Sequence, residues 1–216
     1  MARLKQYDLR KLRLPLGRVI GDNMCRYSAF NVCVLRLETD DGLVGWGYGE
    51  KVADGEFLKD ASWNRPMPPV GEIHNDFESR YWPQMKGESV HSLKHRQPSP
   101  FPGDSYLELA TRFALWDLIG QEAGLPLYRY LGSPAKPRAV LTTVCGCEFP
   151  QPLEWVLDFV QAKLDQGVTS FKIKVGHKDP EWDHERLLAI RSLVGPEVEL
   201  GVDANMAWTV RETLDW

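Results

Sequence analysis

Hydrophobic and polar positions change rhythm about two-thirds of the way along the chain. In the first part "NVCVLRLE" and "LVGWGYGE" alternate with period two and flank "TDDG", whose Asp41-Gly42 pair is a hairpin signal. With "YDLRKLRLPL" ahead of them, they predict a three-stranded antiparallel meander. Residues 51 to 105 are rich in Pro, Trp and polar residues without steady periodicity, which predicts loops and short helices. Leu107, Ala110, Phe113, Ala114 and Leu118 then recur at helical spacing, and Gly124 and Pro126 stop that helix. "GSPAKPR", residues 132–138, has the composition of a linker.

Beyond it the pattern becomes strand, helix, strand. "AVLTTVCG", "SFKIKVG" and "EVELGVDAN" read as strands, centred near Thr143, Ile173 and Val202, with amphipathic helices between them. A spacing of about thirty residues implies right-handed βαβ units and a parallel sheet. The middle strand places Lys172 and Lys174 on one face, about 7 Å apart along the backbone. Parallel strands are covered by helices, so an enclosed lysine face is preferred to a solvated one. On the third strand Val198, Leu200 and Val202 take one face, and Glu199, Gly201, Asp203 and Asn205 the other. Lys174 and Asp203 lie at the C-terminal ends of their strands, where parallel α/β folds carry out chemistry.

Composition narrows the function classes. The 216 residues are 43% hydrophobic, carry net charge −4 and have a pI of about 5.8, which argues against nucleic acid and anionic membrane as partners. The charged start "MARLKQYDLRKLRLPLG" lacks a signal-peptide core, and no run approaches the ~18 apolar residues of a membrane span. Cys25, Cys33, Cys145 and Cys147 are too few and scattered for a disulfide framework, so a soluble cytoplasmic protein is expected. Cys145 and Cys147 read as free thiols, since no second pair completes a metal site. "GWGYG" ends a strand and opens no helix, which disfavours phosphate binding. His184 falls in a charged helix; His177 follows the lysine strand and is a candidate for lining a site. His74, His91 and His95 show no metal spacing, and Trp208 reads as packing.

The lysine–aspartate set suits one kind of chemistry. A lysine acts as general base when a neighbouring ammonium and partial burial favour its neutral form. An aspartate is a hard ligand for Mg²⁺, which can stabilise the enolate left by proton removal beside a carboxylate. "FKIKVG" and "VELGVDANMAW" at this separation resemble the enolase superfamily, in its mandelate racemase and muconate-lactonizing branch. "GWGYGE" and "ALWDLIGQEAGLPLYRYLG" are similar to the family's N-terminal hairpin and capping-domain helix.

The resemblance implies an α+β capping domain over residues 1–131, followed from residue 139 by the start of a (β/α) barrel, with three strands and two helices. Lys174 would be the general base and Lys172 its partner, contacting the substrate carboxylate. Asp203 would bind Mg²⁺, and Asn205 would touch substrate. The loop "VIGDNMCRYS" resembles the one that closes over substrate, making Arg26 and Tyr27 candidate contacts. The expected reaction is abstraction of the proton α to a carboxylate, with acid-sugar dehydration first. Racemisation, epimerisation or cycloisomerisation follow, then a Schiff-base aldolase or an inactive fragment. A complete barrel takes about 250 residues. The chain therefore reads as a truncated part of a homo-oligomeric enzyme of about 390 residues, and is expected to be inactive alone.

Overall fold

The computed structural model describes residues 2–58, 66–94, 105–133, 142–143 and 151–216. They form two compact units. The first comprises Met1–Pro15, Ala29–Ala53 and Arg65–Pro137, and the second Leu16–Ser28, Asp54–Asn64 and Arg138–Trp216.

Strands β1 (Leu4–Gly21), β2 (Cys25–Thr39) and β3 (Val44–Phe57) form one sheet in the order β1-β2-β3. Connections this short permit only antiparallel neighbours, because parallel strands need a crossover of about a dozen residues or more. At the β2–β3 turn Thr39 N donates to Leu43 O at 3.0 Å, and Gly42 takes φ +92°. The meander is thus present, and its strands extend well beyond the alternating runs.

The first unit continues with α1 (Val70–Asp76), a π turn over Phe77–Tyr81, a 3-10 turn over Trp82–Gln84, and α2 (Val90–Lys94). Helix α3 (Ser105–Glu122) buries Leu107, Ala110, Ala114 and Leu118 completely. Phe113 lies off that stripe, is exposed, and packs against Tyr48 with ring centroids 5.6 Å apart. The glycines of "GWGYG" have a packing role. A Cβ at Gly45, Gly47 or Gly49 would lie 2.4, 1.9 or 1.9 Å from the α3 carbonyls of Ala114, Ala110 and Tyr106. Their absent side chains let the helix lie directly on β3. Gly124, at φ +64°, turns the chain out of α3 and Pro126 opens α4 (Leu127–Tyr130).

In the second unit the parallel order is β4 (Thr142–Thr143), β5 (Ser170–Lys174), β6 (Glu199–Asp203). Helices α5 (Leu153–Leu164) and α6 (Pro180–Val194) connect successive strands, and α7 (Val210–Asp215) follows β6 with a Thr209–Glu212 capping box. Val156 and Val160 of α5, Phe171 and Ile173 of β5, and Ile190 of α6 form the core. Val202 of β6 is 51% exposed, contrary to the packing its alternation suggested, because β6 is the edge of the described sheet. Cys25 and Cys33 are free and buried; Cys145 and Cys147 lie outside the described residues, as does His95. Among the described residues no helix is long and apolar enough to cross a membrane.

Candidate functional site

The β5–β6 ladder pairs Lys172 with Gly201 and Lys174 with Asp203. Paired residues of parallel strands share a face, so both lysines and the aspartate lie together. Gly201 leaves the space beside Lys172 open: a Cβ there would meet nothing closer than Phe171 O at 3.8 Å. Lys172 Nζ therefore reaches past it to Asp203 Oδ2 at 3.0 Å, and Lys174 Nζ donates to the same oxygen at 3.0 Å. The lysine side chains are 37% and 13% exposed, so the face is enclosed at Lys174 and more open at Lys172. The opposite face carries Phe171, Ile173 and Val175, all buried.

Asp203 has a carboxyl held well below its ordinary range. Burial alone would raise it, but hydrogen bonds from Lys174, Lys172 and the Asn205 amide outweigh that. Asn205 N donates to Asp203 Oδ1 at 3.0 Å, and the Asn205 side-chain oxygen accepts from Lys174 Nζ. Asn205 and Met206 take φ +45° and +59°, two successive left-handed residues that turn the chain sharply after the strand. Strain of this kind collects at functional sites.

Two residues that sequence reasoning did not single out complete the cluster from the β1–β2 connection, in the same unit. Asp22 Oδ2 lies 3.9 Å from Lys174 Nζ, while its Oδ1 accepts the Met24 and Cys25 amides at 2.7 and 3.3 Å. Asn23 Nδ2 donates to Asn205 O at 3.3 Å. "Asp-Asn" in a tight turn is a local signal for such capping. Its reach to Lys174 is tertiary and has no sequence signature.

Beside the cluster lies a cavity of about 630 Å³ whose walls include Asp22, Asn23, Arg26, His177, Lys178 and Trp208. Arg26 and His177 are therefore on its surface. Tyr27 is not; its Cα and Cβ lie where a side chain on Gly55 would stand. Trp208 lines the cavity and stacks on Trp216 with ring centroids 5.1 Å apart. His184 is exposed on α6. Asp183 of α6 is 1% exposed and accepts the Gly176 and His177 amides at 2.7 and 2.8 Å. Burial pushes its carboxyl above the ordinary value of 3.8, against the pull of those two amides.

For a divalent cation the donors fit in kind but not in number. Asp203 offers hard carboxylate oxygens, yet among the described residues no three His, Cys, Asp or Glu stand together as a metal site. Asp203 thus fits Mg²⁺ as one protein ligand of an incomplete set.

Comparison with known proteins places these features in context. The family model described as "Enolase C-terminal domain-like" matches residues 155–216. The chain is 29% identical over 211 residues to the L-Ala-D/L-Glu epimerase of Clostridium acetobutylicum, covering 98% of this chain and 56% of that protein. It is 33% identical over 189 residues to the arabinonate dehydratase of Saccharolobus solfataricus, covering 85% and 48%. The crystal structure of an enolase-superfamily member from Roseovarius nubinhibens complexed with magnesium superposes with a TM-score of 0.75. Its identity is 25%, over 100% of this chain and 56% of that one. The chain spans about half the length of the relatives it matches.

Proposed function

The chain belongs to the mandelate racemase and muconate-lactonizing branch of the enolase superfamily, and from that premise we propose that it carries the base side of an α-proton abstraction site for a carboxylate substrate. The observation that carries this reading is the convergence of Lys172, Lys174, Asp203 and Asn205 at the ends of two adjacent parallel strands.

In the proposed mechanism Lys174, as the free amine, takes the proton α to the substrate carboxylate. The C–H electron pair passes into the carboxylate, giving an enolate. Lys172 is more exposed and holds the carboxylate by charge and hydrogen bond. Asn205 holds the Lys174 amine by a hydrogen bond from the loop after β6, and Asp203 limits the repulsion between the two ammonium groups while they are charged. Asp203 would also be one ligand to Mg²⁺. When bound, that ion supplies positive charge to the carboxylate oxygens.

Acid-sugar dehydration is the favoured outcome: the enolate electron pair forms the Cα–Cβ double bond, the β C–O bond breaks, and the hydroxyl leaves as water with a proton from solvent. The cavity, which meets the lysine cluster through Asp22 and Asn23, also presents Arg26 and His177. Such closely set donors and acceptors suit the hydroxyls of a polyol chain, and Trp208 offers a flat face to its C–H groups.

The test is incubation with arabinonate and Mg²⁺ in D₂O, followed by proton NMR and mass spectrometry. Dehydration gives a product lighter by one water. Deuterium at the α carbon with inverted configuration and no loss of water would replace dehydration by epimerisation. With the remaining metal ligands supplied, a protein that neither removes water from arabinonate nor deuterates the α carbon of arabinonate or L-Ala-D-Glu would refute proton abstraction by this site.

A further inference from the structure

We infer that Asp183 is a positioning residue that fixes the backbone of Gly176 and His177, and with it the cavity wall beside Lys174. Its kinetic consequence rests on the function proposed above; its structural consequence does not.

The β5–β6 ladder ends with Val175 N donating to Asp203 O at 3.1 Å. Lys174 is therefore set by the sheet itself. The next two amides, Gly176 and His177, lie beyond the ladder and have no strand carbonyl opposite them. Helix α6 supplies the missing acceptor: Oδ2 of Asp183 takes both, at 2.7 and 2.8 Å. Hydrogen bonds to an ionised carboxylate are stronger than those to a neutral oxygen.

Movement of this turn is restricted on the other side as well. Gly176 has φ +93°, and a Cβ there would lie 2.5 Å from Ala207 Cβ, so no slack separates it from the loop after β6. The His177 ring stacks on Trp182, the neighbour of Asp183 in sequence, at 4.6 Å. Backbone and ring of His177 are both held by α6. The helix is in turn anchored by Arg186, whose Nη1 donates to Gln151 O at 3.1 Å and whose guanidinium lies 4.2 Å over Trp182.

Asp183 Oδ1 is buried and has no partner among the described residues, an arrangement that costs free energy. The carboxylate is thus poorly explained as packing and well explained by the two amides. Because the ladder already fixes Lys174, loss of Asp183 disturbs the wall that receives substrate and leaves the base in place. The effect falls on KM more than on kcat.

The experiment compares wild type, Asp183→Ala and Asp183→Asn by site-resolved amide hydrogen exchange. In Asp183→Ala the Gly176 and His177 amides should exchange at least about tenfold faster, with the β5 ladder amides unchanged. Asp183→Asn keeps an acceptor oxygen and should stay within about threefold of wild type. If Asp183→Ala does not fold, Asp183→Asn decides: retained protection at both amides supports positioning, and lost protection overturns it. Uniform acceleration throughout the second unit would reveal a general structural role and also overturn it. With arabinonate as the kinetic probe, Asp183→Ala should raise KM about tenfold and leave kcat within about threefold. A collapse of kcat at unchanged KM would be contrary. Inactivity of wild type on arabinonate would count against the proposed reaction, while amide exchange would still judge Asp183.

Discussion

Replacing Gly176 by alanine probes the point where the lysine strand leaves the sheet. At φ +93° an L-residue is strained by about 1–2 kcal/mol. The new Cβ would also lie 2.5 Å from Ala207 Cβ and 3.1 Å from Ala204 O, where ordinary contact begins at 3.4 Å. The 204–207 loop must therefore retreat by roughly 0.9 Å, the difference between 3.4 and 2.5 Å. Overpacking of this kind costs about 1–3 kcal/mol. The sum is a loss of about 2–5 kcal/mol, against a typical total stability of about 5–15 kcal/mol. Gly167 is the control: it has φ +83° at the end of α5, and nothing lies within 4 Å of a Cβ built there. Gly167→Ala should cost the backbone strain alone, about 1–2 kcal/mol. Urea unfolding followed by tryptophan fluorescence measures both, and their difference reports the contact with Ala207. If Gly176→Ala is no less stable than Gly167→Ala, the turn is not pressed against that loop and the reasoning fails.

Other perturbations test the site and its support. Lys174→Ala should lower turnover of any acid the wild-type protein deprotonates by about 10²–10⁴-fold; unchanged turnover removes Lys174 from the base role. Asp203, whose carboxyl is held below 3.8 in the fold, contributes stability that is present above pH 3.8 and lost as pH falls towards its folded value. Acid titration of wild type should therefore show unfolding free energy dropping below about pH 4, and Asp203→Asn should flatten that limb; parallel curves would refute the coupling. In the first unit, Gly47→Ala puts a Cβ 1.9 Å from Ala110 O and must lift α3 off β3, at a cost of about 1–3 kcal/mol or more. A thermal melt no lower than that of wild type would show that the helix does not lie on that glycine.

Periodicity and turn chemistry were enough for the elements. The Asp41-Gly42 turn, the helix ending before Gly124 and the parallel order of the strands around Ile173 and Val202 all follow from local pattern, because each depends on neighbours in sequence. The pairing of Lys172 and Lys174 with Asp203 was legible for a related reason: side-chain alternation and strand-end position are properties of the strand itself. Elsewhere local pattern was insufficient. Phe113 looked like core, but a shift of one residue around the helix placed it in solvent. "GWGYG" could be told from a phosphate loop, yet its purpose required knowing that the α3 backbone lies against those glycines. Asp22 reaches Lys174 across a sequence separation that no motif spans, and nothing in the charged run around His184 marks Asp183 out from its neighbours. Its role came from the ladder ending at Val175 and leaving two amides for α6 to satisfy. Such demands arise only once strands and helices are packed, because a buried amide specifies its partner by position in space and not by order along the chain.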